Sequence, residues 1–449
     1  MSLVHNLFRG IKASPLLISV WMAILACACL ACSATTYGQT RLPIKERIER
    51  DTKHGSRSAI TIPPGVTLDD GLSEDEAVSI ALWNNPVFNS DLAALGFARA
   101  DLREAGLLRN PIMSLLFPLG PKQFEATINF PLELIWQRPR RVAAAKANLQ
   151  RAGKSLEQNA LNLVRDVRLA YADVQVAQKR RQLALDALIR RRQIPVIMEA
   201  RFRVGDISEQ EAIAARAETN IAEQEAARLG NEIDIVKERL RFLLGLSEEA
   251  TPIDVTTAAI EPAAPQNADE LLRLAFASRP DLRAAELAID AAARKAKWER
   301  SRIFTLMATL DMNGHGTRGF EAGPGIVAEP PIFNRNQGGI ARAEAELEAA
   351  SRGYALVRQR IISEVIEARQ QLMQARESLA DWRARVLPAL ERDVQIQNAA
   401  YRDGEISYLL VLLNQQRLDT ARVRESEFAD QAHRARVQLD RAIGRNFDQ

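Results

Sequence analysis

The chain has 449 residues, of which 47% are apolar but only 5% are aromatic, and its 60 Lys and Arg residues nearly balance 57 Asp and Glu residues. A large globular core normally contains more aromatic side chains, so this composition favours long helices and helical bundles. The net charge of +3 excludes a general electrostatic affinity for nucleic acid. Three cysteines exclude a disulfide framework, and the four histidines form no pair at the spacing of helical metal ligands.

The N-terminus has the order of a secretory signal. Arg9 and Lys12 precede an apolar run over residues 13–31, which predicts export and a signal peptide within residues 1–32. Residues 33–69 are predicted to form an extended linker. After the signal, no other apolar run reaches the 18 residues expected of a membrane-spanning helix.

Two cysteines at the end of the signal are candidates for lipidation. Cys27 and Cys32 each follow an alanine, as does the acylated cysteine of many lipoprotein signals. Two interpretations stay open: one of these cysteines is acylated after cleavage, or the signal is cleaved further on, near residues 34–38, and neither is modified.

The rest of the sequence is duplicated. Four segments recur in the same order, and their offsets drift only from 194 to 199 residues. The clearest pairs are Asn85-Pro86 with Arg279-Pro280, residues 142–149 with 340–347, and residues 202–208 (FRVGDIS) with 401–407 (YRDGEIS). Such order indicates a tandem duplication, with repeats over residues 70–246 and 268–446 and a connector over 247–267.

The first repeat begins with a helical segment and a strand pair. A helix is predicted from Glu74 to Leu107 and is broken at Asn84-Asn85-Pro86, where Asn can cap and Pro can begin a new first turn. Strands are predicted from Ile112 to Leu119 and from Gln123 to Phe130. The second strand alternates apolar and polar residues, which predicts one apolar and one polar face.

The second repeat has a corresponding strand pair. Ile303 to Met312 alternates in the same way and precedes a Gly-rich loop over residues 313–319. Its partner, Phe320 to Ala328, contains Gly323-Pro324-Gly325 and is predicted to be a poor strand.

A very long helix follows each strand pair. The run from Pro139 to Arg203 has 65 residues and would be about 97 Å long if it were continuous. Pro195 and, in the second repeat, Pro388 should kink these helices near their ends. Apolar residues at heptad spacing predict coiled-coil seams: Ala160, Val164, Val167, Tyr171 and Val174 in one helix and Ile362, Val365, Leu372 and Leu379 in the other.

Each long helix ends at a short glycine motif. Gly205 and Gly404 suit helix C-caps, and Ser208 and Ser407 suit the N-caps of returning helices. The motifs are therefore predicted to be tight helical hairpins. The returning helices are predicted over Glu209–Leu244 and Tyr408–Ile443.

This duplicated succession of helix, strand pair, long helix, glycine tip and returning helix resembles the TolC-like outer-membrane efflux proteins. The residues that carry the resemblance are Asn85-Pro86, Asn110-Pro111, the two tips and Leu243–Leu246. It implies a mainly α fold with a small β part, in which each chain gives a helical tunnel wall and two β-hairpins to a 12-stranded trimeric β-barrel. Since two hairpins are too few to close a membrane barrel, a homotrimer in contact with outer-membrane lipid is implied.

The resemblance also implies partners at the tips. The protein would be a passive duct without cofactor, catalytic residue or bound metal, joined by a periplasmic adaptor (membrane fusion protein) to an inner-membrane pump of the resistance-nodulation-division (RND) type. The implied docking residues are Phe202, Arg203, Val204, Gly205, Asp206, Ile207 and Ser208 in the first tip and Tyr401, Arg402, Asp403, Gly404, Glu405, Ile406 and Ser407 in the second.

One residue beside the first tip is a candidate for the channel aperture. Family members often carry an acidic residue six positions after the tip glycine, and Glu211 fits this pattern. Leu410 takes the same place in the second repeat. The resemblance therefore implies one acidic and one apolar ring rather than a double network of salt bridges.

The cargo and the class of protein have alternatives. Gly-Asp-Ile-Ser in the first tip, with a Glu-rich helix after it, is most similar to the heavy-metal (cobalt-zinc-cadmium) branch, while multidrug efflux and type I secretion stay open. A periplasmic coiled-coil adaptor or structural protein is the alternative from another class, although an adaptor has one helical hairpin and more strands. An enzyme is disfavoured, because the sequence has no nucleophile elbow, phosphate loop or metal-ligand cluster.

Overall fold

The computed structural model describes residues 62–63, 66, 71–117, 124–246, 253–256, 267–315 and 319–445. The predicted signal peptide, with Cys27 and Cys32, lies outside the described residues, as do most of the linker and the connector. Among the helices that the structure describes, none is both long enough and apolar enough to cross a membrane.

The same elements occur in the same order in both halves. The first half contains α1 (Glu74–Asn84), α2 (Pro86–Gly106), β1 (Ile112–Leu116), β2 (Phe124–Pro131), α3 (Leu134–Arg191), α4 (Ile194–Arg203) and α5 (Glu209–Leu244). The second contains α6 (Ala268–Ser278), α7 (Pro280–Ser301), β3 (Thr305–Gly314), β4 (Phe320–Glu329), α8 (Gln337–Asp381), a π-helical turn (Trp382–Val386), α9 (Leu387–Arg402) and α10 (Tyr408–Ile443).

The four strands form one antiparallel sheet in the order β1-β2-β3-β4. The two hairpins join where β2 pairs with β3, from Phe124 opposite Gly314 to Pro131 opposite Met307. β1 and β4 are the edges of this sheet, and every residue of both strands is exposed.

Two strand predictions need correction. β3 begins at Thr305 rather than Ile303, because α7 continues to Ser301, and it runs into the predicted loop as far as Gly314. The expectation that β4 is a poor strand is wrong, since it pairs with β3 along its whole length. Pro324 is tolerated because an edge strand has one row of backbone groups without a partner in the sheet.

The two long helices differ at their prolines. α3 has 58 residues, about 87 Å, and ends at Arg191. The run to Arg203 is therefore not one continuous helix, and it breaks beside Pro195, where a kink was predicted. Pro195 has no N–H to donate to the Arg191 carbonyl, and its ring opposes a helical continuation. In the second half, a π-helical turn precedes Pro388, and the Leu387 N–H donates to the carbonyl of Trp382. The helix therefore continues through this turn.

The predicted seams lie in the helical core. All five residues of the first seam are buried, and Tyr171 places its hydroxyl 2.8 Å from the Leu72 carbonyl oxygen. In the second seam Val365, Leu372 and Leu379 are buried as predicted, but Ile361 rather than Ile362 completes the pattern. The two cores are equivalent: α3 packs against α1 and α5, and α8 packs against α6 and α10.

The residues before the two prolines anchor each returning helix. Asn85 caps α2 by accepting from the Phe88 N–H at 2.9 Å, and its amide donates to the Leu243 carbonyl at 2.9 Å. Arg279, at the same place in the second half, donates to the Ala442 carbonyl at 3.1 Å. The ends of α5 and α10 are thus held by different side chains at equivalent positions.

The helices form an array that is four helices wide. Toward the tips, α3 packs between α5 and α10, and α8 packs on the other side of α10. Toward the sheet, the succession is α2, α3, α7 and α8. Ion pairs join the two halves across α3 and α10, from Arg180 to Glu427 at 2.8 Å and from Arg190 to Asp419 at 2.5 Å.

Candidate functional site

The first tip is a helix end followed directly by a helix start. Gly205 has a φ of +77°, its N–H donates to the Phe202 carbonyl at 2.9 Å, and the Asp206 N–H donates to the Arg201 carbonyl at 3.0 Å. These two bonds are a Schellman motif, which favours glycine because other residues are strained at positive φ.

A capping box closes the first tip on its other side. The Glu211 N–H donates to Ser208 Oγ at 3.3 Å, and the Ser208 N–H donates to Glu211 Oε2 at 2.8 Å. Glu211 is therefore bonded to the tip itself, at the third position of α5. Its exposed carboxylate also stands at the end of the helical array, where an aperture would lie, so the two roles are compatible.

The second tip repeats the backbone of the first without its side-chain cap. Gly404 has a φ of +78°, with bonds to the Tyr401 carbonyl at 3.1 Å and from the Glu405 N–H to the Ala400 carbonyl at 2.9 Å. Ser407 is the N-cap of α10 but makes no side-chain capping bond. The capping box is incomplete because Leu410 stands where the first half has glutamate.

The two tips also differ in the ion pairing of their charged side chains. Arg201 and Asp206 of the first tip are joined at 2.6 Å, and Arg203 lies 3.4 Å from Glu199. Within the described part of the chain, Asp403 and Glu405 of the second tip make no side-chain ion pair. The carboxylate of the first tip, Asp206, is thus neutralised by an ion pair. The two carboxylates of the second tip have no such partner among the described residues.

The structure brings the two tips together at one end of the helical array. Ile207 and Leu412 pack against a small core of Ile194, Met198 and Ala215. Ile207 and Ile406 are half-buried, whereas Val204 is 80% exposed. Each tip therefore turns one isoleucine inward. The other side chains of residues 202–208 are exposed, whereas Tyr401 of the second tip is half-buried like Ile406.

At the opposite end, the sheet separates apolar from polar side chains. The strand register places one set of alternating residues on one face. This apolar face carries Met113, Leu115, Phe124, Ala126, Ile128, Phe130, Leu306, Ala308, Leu310, Met312, Phe320, Ala322, Pro324, Ile326 and Ala328. Such a face suits a hydrocarbon environment rather than water.

The other face of the sheet carries carboxylates and no basic residue. Glu125 and Glu321 flank Asn313 in one row across β2, β3 and β4, and Asp311 lies in the next row. Glu329, opposite Thr305, lies on the same face at the end of β4. Asp311 accepts hydrogen bonds from Thr127 Oγ1 at 3.0 Å and from Asn313 Nδ2 at 2.9 Å. The four strands contain no Lys or Arg, so this face attracts cations and repels anions.

This charged face was not predicted from the sequence. The alternation of β2 and β3 was the available signal, but it was used to predict only that polar residues share a face. Glu321 lies in β4, which was predicted to be a poor strand. In the described residues, no group of three His, Cys, Asp or Glu side chains could hold a metal ion.

A wall of long helices continued by a sheet with one apolar and one charged face is the construction of an outer-membrane channel. The chain belongs to the outer membrane efflux protein family, whose model matches residues 117–246 and 271–445. The resemblance predicted from the sequence and the mainly α fold class are therefore confirmed. As a member of this family the protein is a channel and not an enzyme, and it extends from the outer membrane into the periplasm.

Two curated relatives are metal resistance proteins of Cupriavidus metallidurans. The cobalt-zinc-cadmium resistance protein CzcC is 27% identical over 385 residues, which cover 83% of this chain and 90% of CzcC. The nickel and cobalt resistance protein CnrC is 26% identical over 305 residues, 65% of this chain and 67% of CnrC. A crystal structure of CusC shares the fold, with a TM-score of 0.70 at 19% identity over 92% of this chain and 99% of that one.

Proposed function

We propose that three copies of this chain form a passive exit duct for heavy-metal cations. The array of the single chain has two open sides. At one side lie β1 and α5, with Ile213, Ile221, Ile235 and Phe242 more than half exposed on α5. At the other lie β4 and α8. A head-to-tail contact between these unlike sides generates a ring, and three copies bring twelve strands into one closed sheet.

The apolar face of this closed sheet lies against outer-membrane lipid, and its charged face lines the pore. This orientation follows from the cost of burying carboxylates in hydrocarbon. The helices then enclose a tunnel that leads from the sheet to the two kinds of tip.

The tips, residues 202–208 and 401–407, are the docking surface for a periplasmic adaptor. The family works with an adaptor and an RND-type pump in tripartite efflux. The exposed Val204 offers an apolar contact to such a partner. Asp403 and Glu405, which have no ion-pair partner among the residues that the structure describes, offer acidic contacts. In this assembly Glu211 contributes one acidic ring to the periplasmic aperture and Leu410 contributes an apolar one.

The cargo is inferred from the charge on the polar face of the sheet. Carboxylates without any basic residue in the strands favour the passage of cations over anionic or bulky neutral compounds. The names of CzcC and CnrC, which concern resistance to cobalt, zinc, cadmium and nickel, support the same class of cargo.

Deletion of the gene in its own host tests this function. The deletion strain should become sensitive to Co²⁺, Zn²⁺ or Cd²⁺ and keep its tolerance to dyes and detergents, and the wild-type gene should restore resistance. Sensitivity to dyes alone would indicate multidrug efflux, and loss of a secreted protein would indicate type I secretion. Native mass spectrometry of the purified protein should give a trimer, and a soluble monomer would refute the assembly.

A further inference from the structure

Arg109, Arg138 and Arg141 lie close together where the sheet meets the helices, and Arg140 lies in the same turn of α3 as Arg138 and Arg141. Arg138 Nε donates to the Gly106 carbonyl at 2.8 Å. Arg141 donates from Nε to the Ala105 carbonyl at 3.0 Å and from Nη2 to the Leu107 carbonyl at 2.7 Å. These two side chains are fixed to the C-terminus of α2, where cations complement the helix dipole.

The other two arginines add uncompensated positive charge. Arg109 and Arg140 are exposed and, in the described part of the chain, neither lies within ion-pair distance of a carboxylate. Burial lowers the pKa of Arg141, and the nearby Arg109 and Arg138 lower it further, whereas Glu104 raises it. Glu104 is thus the one acidic group that acts on Arg141, beside the two cations Arg109 and Arg138.

Exposed apolar side chains surround this cluster. Leu107 and Ile135 are 64% and 74% exposed. Strands of eight to ten residues, as in β2, β3 and β4, suit the apolar band of an outer membrane, which is about 25 Å tall. The junction of strands and helices therefore lies at the level of the lipid headgroups on the periplasmic side.

The second repeat shows that the fold does not require these arginines. Asn336, Gly338 and Gly339 occupy the places of Arg138, Arg140 and Arg141, and α8 begins there all the same. The start of α3 therefore does not depend on Arg138, Arg140 or Arg141. Arg138 and Arg141 stabilise the end of α2, but Arg140 makes no such contact among the described residues.

We propose that Arg109, Arg138, Arg140 and Arg141 bind the phosphodiester headgroup of an anionic phospholipid in the inner leaflet of the outer membrane. This inference rests on the proposed trimer and its orientation in the membrane. A guanidinium group matches the two free oxygens of a phosphodiester and is weakly hydrated, so it suits a site at the membrane surface. Leu107 and Ile135 contact the first part of the acyl chains.

The purified full-length trimer tests the site. Delipidated protein is titrated with phosphatidylglycerol or phosphatidylcholine, and bound lipids are counted by native mass spectrometry. The wild type should bind phosphatidylglycerol more tightly, and R109Q/R140Q should weaken that binding roughly ten- to thirtyfold, as expected for the loss of two cations at a membrane surface. Binding of phosphatidylcholine should not change.

Control variants separate the site from assembly and from general charge. R283Q/R352Q removes two exposed arginines of α7 and α8 and should bind phosphatidylglycerol as the wild type does, while R109K/R140K should keep part of the affinity. Equal binding by R109Q/R140Q and the wild type would overturn the proposal. So would dissociation of R109Q/R140Q trimers at unchanged lipid affinity, since the arginines would then belong to the contact between protomers. A wild type that never forms trimers would instead contradict the proposed function.

Discussion

Removal of three of the four carboxylates on the charged face of the sheet should weaken its preference for cations. The variant E125Q/D311N/E321Q keeps the size of each side chain and its capacity to accept hydrogen bonds. Glu125, Asp311 and Glu321 lie in two adjacent rows of the sheet, and the fourth carboxylate, Glu329 at the end of β4, is kept. Three such groups in each of three chains give nine charges around the proposed pore.

The size of the effect follows from the geometry of the closed sheet. Twelve strands, about 4.8 Å apart and tilted by about 40°, enclose a cylinder with a radius of about 12 Å, so inward carboxylates lie about 10 Å from its axis. One charge at that distance contributes about 0.4 kcal/mol in water and about 0.1 kcal/mol after screening at physiological salt. Nine charges contribute about 1 kcal/mol, which enriches a monovalent cation roughly sixfold at the axis.

The reversal potential in a planar lipid bilayer measures this preference. Under a gradient of potassium chloride the wild type should be cation-selective, and the triple variant should shift the reversal potential toward zero. The reversal potential does not depend on how many channels conduct, so a closed aperture in part of the population does not obscure it. E286Q/D290N/E348Q removes the same kinds of charge from the helices and should behave as the wild type. An anion-selective wild type, or unchanged selectivity in E125Q/D311N/E321Q, would refute the reasoning.

Three further predictions concern the tips and one buried histidine. Replacement of Ser208 by Ala should lower the stability of the purified protein by about 1 kcal/mol because it removes the capping box, whereas replacement of Ser407 should change little; equal losses in thermal unfolding would contradict this. Leucine at Gly205 and Gly404, which have positive φ, should abolish metal resistance while trimers persist in the membrane, and full resistance would argue against docking at the tips. Burial, then the nearby arginines, lower the pKa of His433 to about 4. Because the unfolded chain takes up this proton near pH 6.5, the wild type should lose up to about 3 kcal/mol as the pH falls from 6.5 to 4, and H433Q should lack this part of the loss in thermal unfolding across pH.

The tips and the duplication could be predicted because their signals are local or periodic. A glycine that ends one helix and a serine that begins the next need only a few residues to specify a hairpin. The sequence also shows that Ser208 has a glutamate three positions later and that Ser407 has Leu410. This difference was interpreted as a feature of the aperture, and its effect on helix capping was not predicted.

The different fates of the two prolines could not be predicted, because they depend on tertiary contacts. In the second half, the π-helical turn positions Trp382 so that its Nε1 donates to the Ala421 carbonyl of α10 at 3.0 Å and its ring meets Phe428 edge-on at 5.3 Å. Leu183 has the corresponding place in the first half and cannot make this hydrogen bond. The first helix instead ends at Arg191, although both sequences contain a proline a short distance further on.

The charged face of the sheet could not be predicted from the sequence for a related reason. Glu125 and Glu321 are 196 positions apart in the chain, and only the pairing of β2 and β4 with β3 brings them into one row. The alternation within a strand predicts which of its residues lie on the same side of that strand. The total charge of the face also depends on how β2 and β4 are aligned against β3, which the alternation does not show.

The duplication explains how one chain can build both a regular wall and unequal surfaces. The cores of the two halves are equivalent, since the seams of α3 and α8 must bury the same helical faces for the array to close. Positions outside the cores have diverged: Arg140 in the first half corresponds to Gly338, and the neutralised Asp206 corresponds to the unpaired Glu405. A ring of three such chains presents six helical tips to a partner but only three of each kind. If an adaptor binds this ring as proposed, it meets two kinds of site in alternation. We expect its basic groups to contact the second tip, because Asp206 and Glu211 of the first are already bonded within the chain.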